Sequence, residues 1–179
     1  AGADIVRAGI GQGSICTTRI ATGNGIPTIT CLAECHKARI KTEHELGRKI
    51  FLMQDGGCAT SGNVAKSLCF ADIVMCGNLF AGTNEAAGEV VIQDGVTYKH
   101  FAGSSTHKDK NKEGVEALKR AKGPVSNVIG SLEDGIRSCA SYQGVFNLVD
   151  MQENPKFVRI TSAGQRESNA HDLDVILKR

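Results

Sequence analysis

Gly9-Ile10-Gly11-Gln12-Gly13-Ser14-Ile15-Cys16-Thr17-Thr18-Arg19 follows directly on an apolar run formed by Ile5, Val6 and Ala8. The run predicts a short strand over Asp4 to Ala8 that feeds a glycine-rich loop. Glycines let a backbone approach a ligand closely and expose amide donors. The cysteine supplies a nucleophile once it is ionised. Thr17 and Thr18 can orient a group or relay protons, and Arg19 can hold an anion. The competing reading is a flexible loop around a buried, inert cysteine, a common place for a free thiol.

The same strand-then-loop pattern occurs twice more. Thr28 to Arg48 has Leu32, Cys35, His36, Ala38 and Arg39 at helical spacing, with Gly47 near its end. Ile50-Phe51-Leu52-Met53 is a continuous apolar run, as in a strand buried on both faces, and it ends at Asp55-Gly56-Gly57. A helix follows from Ser61, which can cap it, through Val64, Ala65 and Leu68. Ile73-Val74-Met75 is the next strand and ends at Gly77-Asn78. This rhythm predicts an α/β fold with parallel strands and right-handed crossovers. The polar and glycine residues fall at the carboxyl ends of the strands, where such sheets and barrels bind ligands. Amide-rich loops converging on one face suit a phosphate. At any single strand end, the glycines also read as tight turns.

The pattern then changes. Glu89 to Ile92 and Val96 to Phe101 flank Asp94-Gly95, a hairpin signal. Ala102 to Gly123 is polar and lysine-rich, and reads either as a flap over a site or as a solvated loop. A helix is predicted from about Ser126 to Tyr142, with Asp134-Gly135 weakening its middle and Gly144 stopping it. Lys156 to Thr161 reads as a last strand, and the polar tail after Ser162 as extended chain.

Bulk properties narrow the classes. A chain of 179 residues is one domain or part of one. A net charge of +2 argues for neither nucleic acid nor a membrane surface. No apolar run approaches the length of a transmembrane helix. Ala1-Gly2-Ala3-Asp4 is neither a start methionine nor a signal peptide, so the chain reads as cut from something longer. Its seven cysteines include no Cys-x-x-Cys pair, which disfavours a disulfide scaffold or a zinc ribbon and favours reduced thiols in a cytoplasmic protein.

Taken together, these motifs resemble the IMP dehydrogenase / GMP reductase family. GADIVRAGIGQGSICTTR resembles its catalytic-cysteine loop, and QDGGCATSGNVAKSL its phosphate loop after a barrel strand. ADIVMCGNLFAGTNEAAGE resembles the next strand with a second phosphate loop, and KGPV with RITSAGQRESNAHDL the late helix and tail. The resemblance implies an eight-stranded (β/α)8 TIM barrel. Residues 1–179 would be its C-terminal portion, from about the sixth strand, with a β-hairpin and a flap (about 102–123) inserted after the last strands. Three strands cannot close a barrel, and the family draws its base and nicotinamide contacts from the earlier strands.

The resemblance also implies roles. Cys16 would attack purine carbon 2 to give a covalent thioimidate. Thr18 and Glu113 would be the acid–base pair. Ser14, Asp55, Gly56, Gly57, Gly77 and Asn78 would hold ribose and 5′-phosphate, with Asp55 taking the ribose diol. Asn78 departs from the usual serine or glycine but keeps a donor. The carbonyls of Gly11, Gly13 and Cys16 would bind potassium or another monovalent cation. Glu167, Ser168 and Asn169 of a neighbouring subunit would complete that cation site in a homotetramer.

Two reactions fit the resemblance. The dehydrogenases oxidise IMP with NAD to XMP, using an Arg-Tyr pair in the flap to activate water. Between Ala102 and Gly123 this chain has one arginine, Arg120, and no tyrosine. YKHFAGSSTHK resembles the reductases, which convert GMP to IMP and ammonia with NADPH. EGVEALKRAKGPV and the tail look dehydrogenase-like, and Thr28 follows Pro27 where many members have glutamine. The balance favours a GMP reductase. The alternatives are an IMP dehydrogenase, or an inactive fragment or assembly partner.

Overall fold

Strand β1 (Ile5–Ala8) pairs in parallel with β2 (Phe51–Gln54), and β2 with β3 (Ile73–Val74), in the order β1-β2-β3. This computed structural model describes residues 2–103 and 114–172. Between β1 and β2 lie α1 (Thr18–Thr22) and α2 (Thr28–Leu46), and between β2 and β3 lies α3 (Ser61–Leu68). The register Ile5↔Phe51 through Ala8↔Gln54 brings the carboxyl ends of β1 and β2 level. The cysteine loop and the Asp55 loop therefore leave the sheet side by side.

The helices cover one face. Leu32 of α2, Ala8, Leu52, the Cys69-Phe70-Ala71 turn and Met151 form the core. The strands were expected to be buried on both faces, but the second face is open in the described chain. Ile5 is 48% and Phe51 39% exposed, against 2% for Leu52. A buried ion pair ties α2 to the sheet. Arg39 bonds Asp72, whose Oδ2 also accepts Leu52 N–H at 2.8 Å. Arg39 reaches Gln152 Oε1 at 3.2 Å as well, which brings in α5 (Leu148–Glu153).

Local chemistry sets the helix ends. Gly47 and Gly144 close α2 and α4 (Val125–Gln143) in the left-handed conformation, at φ 63° and 68°. The cap of α3 is Thr60 rather than Ser61. Thr60 Oγ1 accepts Asn63 N–H at 3.2 Å, and Asn63 Oδ1 accepts Ala59 N–H in return. Gly135 in mid-helix has a packing reason. A Cβ there would overlap the Ser61 side chain, so the glycine lets α4 lie against α3.

A second sheet follows. β4 (Val90–Gln93) and β5 (Val96–Phe101) form the predicted hairpin, with Asp94 at φ 51° and Gly95 at φ 73° in its turn. The expected flap is only partly loop. Ala117–Arg120 forms β6, antiparallel to β5, with Tyr98 opposite Arg120. Residues 104–113, the centre of that flap, lie outside the described residues. Lys156 to Thr161 is not a strand, and no strand among the described residues pairs with it. The tail, as far as it is described, begins as a helix rather than as extended chain. Thr161 caps α6 (Ser162–Glu167) through Gly164 N–H.

Candidate active site

The cysteine loop folds on itself. Cys16 N–H donates to Gly13 C=O at 3.0 Å, closing a tight turn that presents the side chain. The Cys16 thiol is half-buried and donates to Thr18 Oγ1 at 3.0 Å. The nucleophile candidate and a hydroxyl two residues on are thus in contact. Arg19 departs from expectation. Its Nε and Nη2 donate to the carbonyls of Ile10 (3.1 Å) and Ile26 (2.7 Å), so its fork holds the loop's backbone rather than an anion. A Cβ on Gly11 or Gly25 would run into the Arg19 side chain, which explains both glycines.

The Asp55 loop stands beside it. Asp55 N–H continues the ladder onto Ala8 C=O at 2.9 Å, and the Asp55 carboxylate pairs with Arg7 Nε at 3.6 Å. Gly56 and Gly57 have φ of 70° and 81°, conformations that favour glycine and turn two successive peptide units outward. Gln12 of the cysteine loop donates through Nε2 to Asp55 C=O.

At the third strand end, Gly77 C=O accepts Ala81 N–H at 2.9 Å and starts the Asn78 turn. Lys122 Nζ donates to the carbonyls of Asn78 (3.0 Å) and Leu79 (2.9 Å). Burial pushes the Lys122 ammonium below its ordinary pKa, and the nearby Lys119 charge adds to this. Lys99, only 8% exposed, donates to the carbonyls of Thr83, Asn84 and Ala86 and fixes the segment that follows. Gly77 also borders a cavity of about 380 Å³ walled by Phe80, Ala86, His100 and Phe101; Cys16 is not in its lining.

Of the predicted site residues, the structure brings together Cys16, Thr18, Gly11, Gly13, Asp55, Gly56 and Gly57. Ser14 is exposed at the loop's apex. Glu113 lies outside the described residues, but Val115, two positions on, donates its N–H to Ile15 C=O at 2.9 Å. That bond holds Val115, within the expected flap, against the cysteine loop. Glu167, Ser168 and Asn169 are exposed on α6 and its end, with Ser168 Oγ bonded to Gly164 C=O and Asn169 Nδ2 to Gln165 C=O. Arg7, Gln12 and Lys122 were not singled out as site residues. Gln12 lies inside the motif itself, whereas Lys122 reads as one cation among many. Among the described residues, no group of histidine, cysteine, aspartate and glutamate could hold a metal ion. No described helix is long and apolar enough to cross a membrane.

Comparison with known proteins gives a consistent result. The sequence model of the IMP dehydrogenase / GMP reductase domain matches residues 1–171. An inosine-5′-monophosphate dehydrogenase of Chlorobaculum parvum is 39% identical, over 97% of this chain and 38% of the relative. A GMP reductase of Leishmania donovani is 37% identical over the same shares. A crystal structure of a cysteine-to-alanine variant of Trypanosoma brucei GMP reductase, in complex with guanosine 5′-monophosphate, superposes with a TM-score of 0.88 at 35% identity. It covers 96% of this chain and 37% of that one. The chain therefore spans under two fifths of the length of these relatives. It belongs to the IMP dehydrogenase / GMP reductase family.

Proposed function

We propose that this chain carries the nucleophile and phosphate loops of a purine-nucleotide oxidoreductase that reduces GMP to IMP with release of ammonia. The observation that carries the reading is the Cys16–Thr18 contact at 3.0 Å, set beside the Asp55-Gly56-Gly57 loop on the neighbouring strand. The Cys16 thiolate adds to purine carbon 2, and the 2-amino group leaves as ammonia with a proton relayed through Thr18 and Glu113. Hydride delivery to carbon 2 of the resulting thioimidate, the chemistry a bound nicotinamide would supply, would return Cys16 as the thiolate. Asp55 takes the ribose hydroxyls, and Ser14 with the amides of Gly56, Gly57, Gly77 and Asn78 takes the 5′-phosphate.

A nicotinamide, NADPH in this reading and NAD in the alternative, supplies or takes the hydride when bound. The described site consists of a thiol, hydroxyls, amides and one carboxylate. In the family the contacts to that ring come from the earlier strands of the barrel. The carbonyls of Gly11, Gly13 and Cys16 are the neutral oxygen donors that potassium accepts. A neighbouring subunit's Glu167-Ser168-Asn169 would complete such a site in a homotetramer.

The reductase is preferred over IMP dehydrogenase because the flap lacks a water-activating pair. Its one arginine, Arg120, is a strand residue opposite Tyr98. The test is product analysis with the full-length protein. Ammonia from GMP and NADPH is the expected result. XMP from IMP and NAD, without GMP-dependent NADPH oxidation, would establish the dehydrogenase instead. Neither product would leave the assembly-partner reading.

A further inference from the structure

Two loops must keep a fixed separation if a nucleotide held by one is to meet a thiol on the other. Beyond the β1–β2 ladder, one side chain from the cysteine loop spans that gap. Gln12 donates through Nε2 to the backbone carbonyl of Asp55. The space it occupies is kept clear from both sides. A Cβ on Gly9 would coincide with Gln12 Nε2. A Cβ on Gly57 would lie 2.8 Å from Gln12 Cγ and 2.8 Å from its carbonyl oxygen. Both glycines also have positive φ, 130° and 81°, so neither position readily accepts another residue. Gln12 Oε1 is buried and has no partner among the described residues. A neutral amide tolerates that burial better than a carboxylate would, which accounts for glutamine rather than glutamate.

We propose that Gln12 is a positioning residue: it braces the cysteine loop against the Asp55-Gly56-Gly57 loop and so sets the Cys16 thiol against the bound nucleotide. This rests on the reading of those two loops as nucleophile and nucleotide site. Gln12 need not touch the reacting atoms. It acts through Asp55 and Gly57, whose backbone it fixes, and through the Gly13–Cys16 turn that follows it in the chain.

The test compares Gln12→Ala, Gln12→Met and Gln12→Glu in the full-length protein. Methionine keeps the length and most of the volume but cannot donate, which separates the bond from the packing. Misplacing reacting groups by about an ångström costs up to about a hundredfold, so kcat of Gln12→Ala is expected to fall by about tenfold or more. The KM for the nucleotide should move less than kcat, because the Gly77 and Asn78 contacts lie outside the Gln12 bridge. Alkylation of Cys16 by iodoacetamide, a probe that needs no second loop, should keep its wild-type rate. Gln12→Met should recover only part of the loss, and Gln12→Glu none.

Hydrogen exchange supplies a readout without substrate. In Gln12→Ala and Gln12→Met, amides of both residues 9–16 and residues 55–57 should exchange faster. Any of three results overturns the proposal: acceleration confined to the cysteine loop, alkylation falling in step with kcat, or full recovery in Gln12→Met. A wild-type protein without turnover on GMP or IMP would remove the functional reading, and exchange would then decide the brace by itself.

Discussion

Cys16 and Cys58 make a natural pair. Each follows a glycine-containing loop, Gly13-Ser14-Ile15-Cys16 and Asp55-Gly56-Gly57-Cys58, at the carboxyl end of one of two adjacent parallel strands. Their surroundings are opposite. Cys16 is half-buried, sits at the end of a closed turn, and has a hydroxyl as partner. Cys58 is 3% exposed and points under its own helix, donating to Gln54 Oε1 at 3.2 Å with Ser67 Oγ 3.9 Å away. A hydrogen bond from Cys76 lowers the Cys58 pKa to about 7, against burial, which raises it. An acidic thiol that no substrate atom can reach is not a nucleophile. Access separates the two positions.

The largest expected effect concerns turnover. Removing a covalent nucleophile typically costs several orders of magnitude, so Cys16→Ala should lose at least about a thousandfold in nucleotide turnover. Cys58→Ala should stay within about tenfold of wild type, under 1.4 kcal/mol in barrier. Following NADPH oxidation with GMP for both variants checks this. Equal losses, or a larger loss at Cys58, would break the contrast.

Stability should show the reverse order. Trimming the buried Cys58 leaves a small void in a packed region, and Cys58→Ala should lower unfolding free energy by about 1 kcal/mol. Cys16 borders solvent, so Cys16→Ala should change it by no more than about 0.5 kcal/mol. Urea titrations of the two variants beside wild type measure both. A destabilised Cys16→Ala would mean that the thiol holds the loop together rather than waiting for substrate.

The contrast also shows how far the residues speak for themselves. Both cysteine loops, the three parallel strands and the long helices were legible, because continuous apolar runs and terminal glycines are local signals. The cap at Thr60 was missed by one residue, since Thr60 and Ser61 both have a side chain suited to capping. The strand at Ala117–Arg120 was hidden because strand pairing is non-local: Leu118 and Lys119 mean little until β5 stands beside them. Lys156 to Thr161 failed for the converse reason, having strand-like residues and no partner strand among the described residues. Lys99 and Lys122 carry no local signal of what they do, yet each donates to backbone carbonyls of a loop distant in sequence. The role of Gln12 became visible only once Gly9 and Gly57 were seen to make room for it.

The remaining effect is a pH dependence, and its sign follows from the Cys58–Cys76 pair. In the folded chain Cys58 titrates at about 7 instead of the ordinary 9.0, chiefly through the hydrogen bond from Cys76. Between those values the unfolded chain binds more protons at this position than the folded one, so stability rises with pH. That contribution is fully present above pH 9.0 and is lost as pH falls through about 7. Cys76 is shifted the other way by the same hydrogen bond and by burial, so the folded chain keeps that proton across this window, and only near the 9.0 end does its ionisation in the unfolded chain begin to oppose the slope. Above its ordinary value of 9.0 it works against stability, because only the unfolded chain gives up that proton. Cys76→Ala removes the largest lowering contact and leaves burial, which raises the Cys58 pKa, opposed by the weaker hydrogen bonds of Ser67 and Gln54, so the slope between pH 7 and 9 should shrink. Cys16→Ala should leave it intact. Urea midpoints at the two ends of the window, in wild type and both variants, decide the matter: an unchanged slope in Cys76→Ala would place its origin elsewhere and dissolve the proposed difference between the two strand-end thiols.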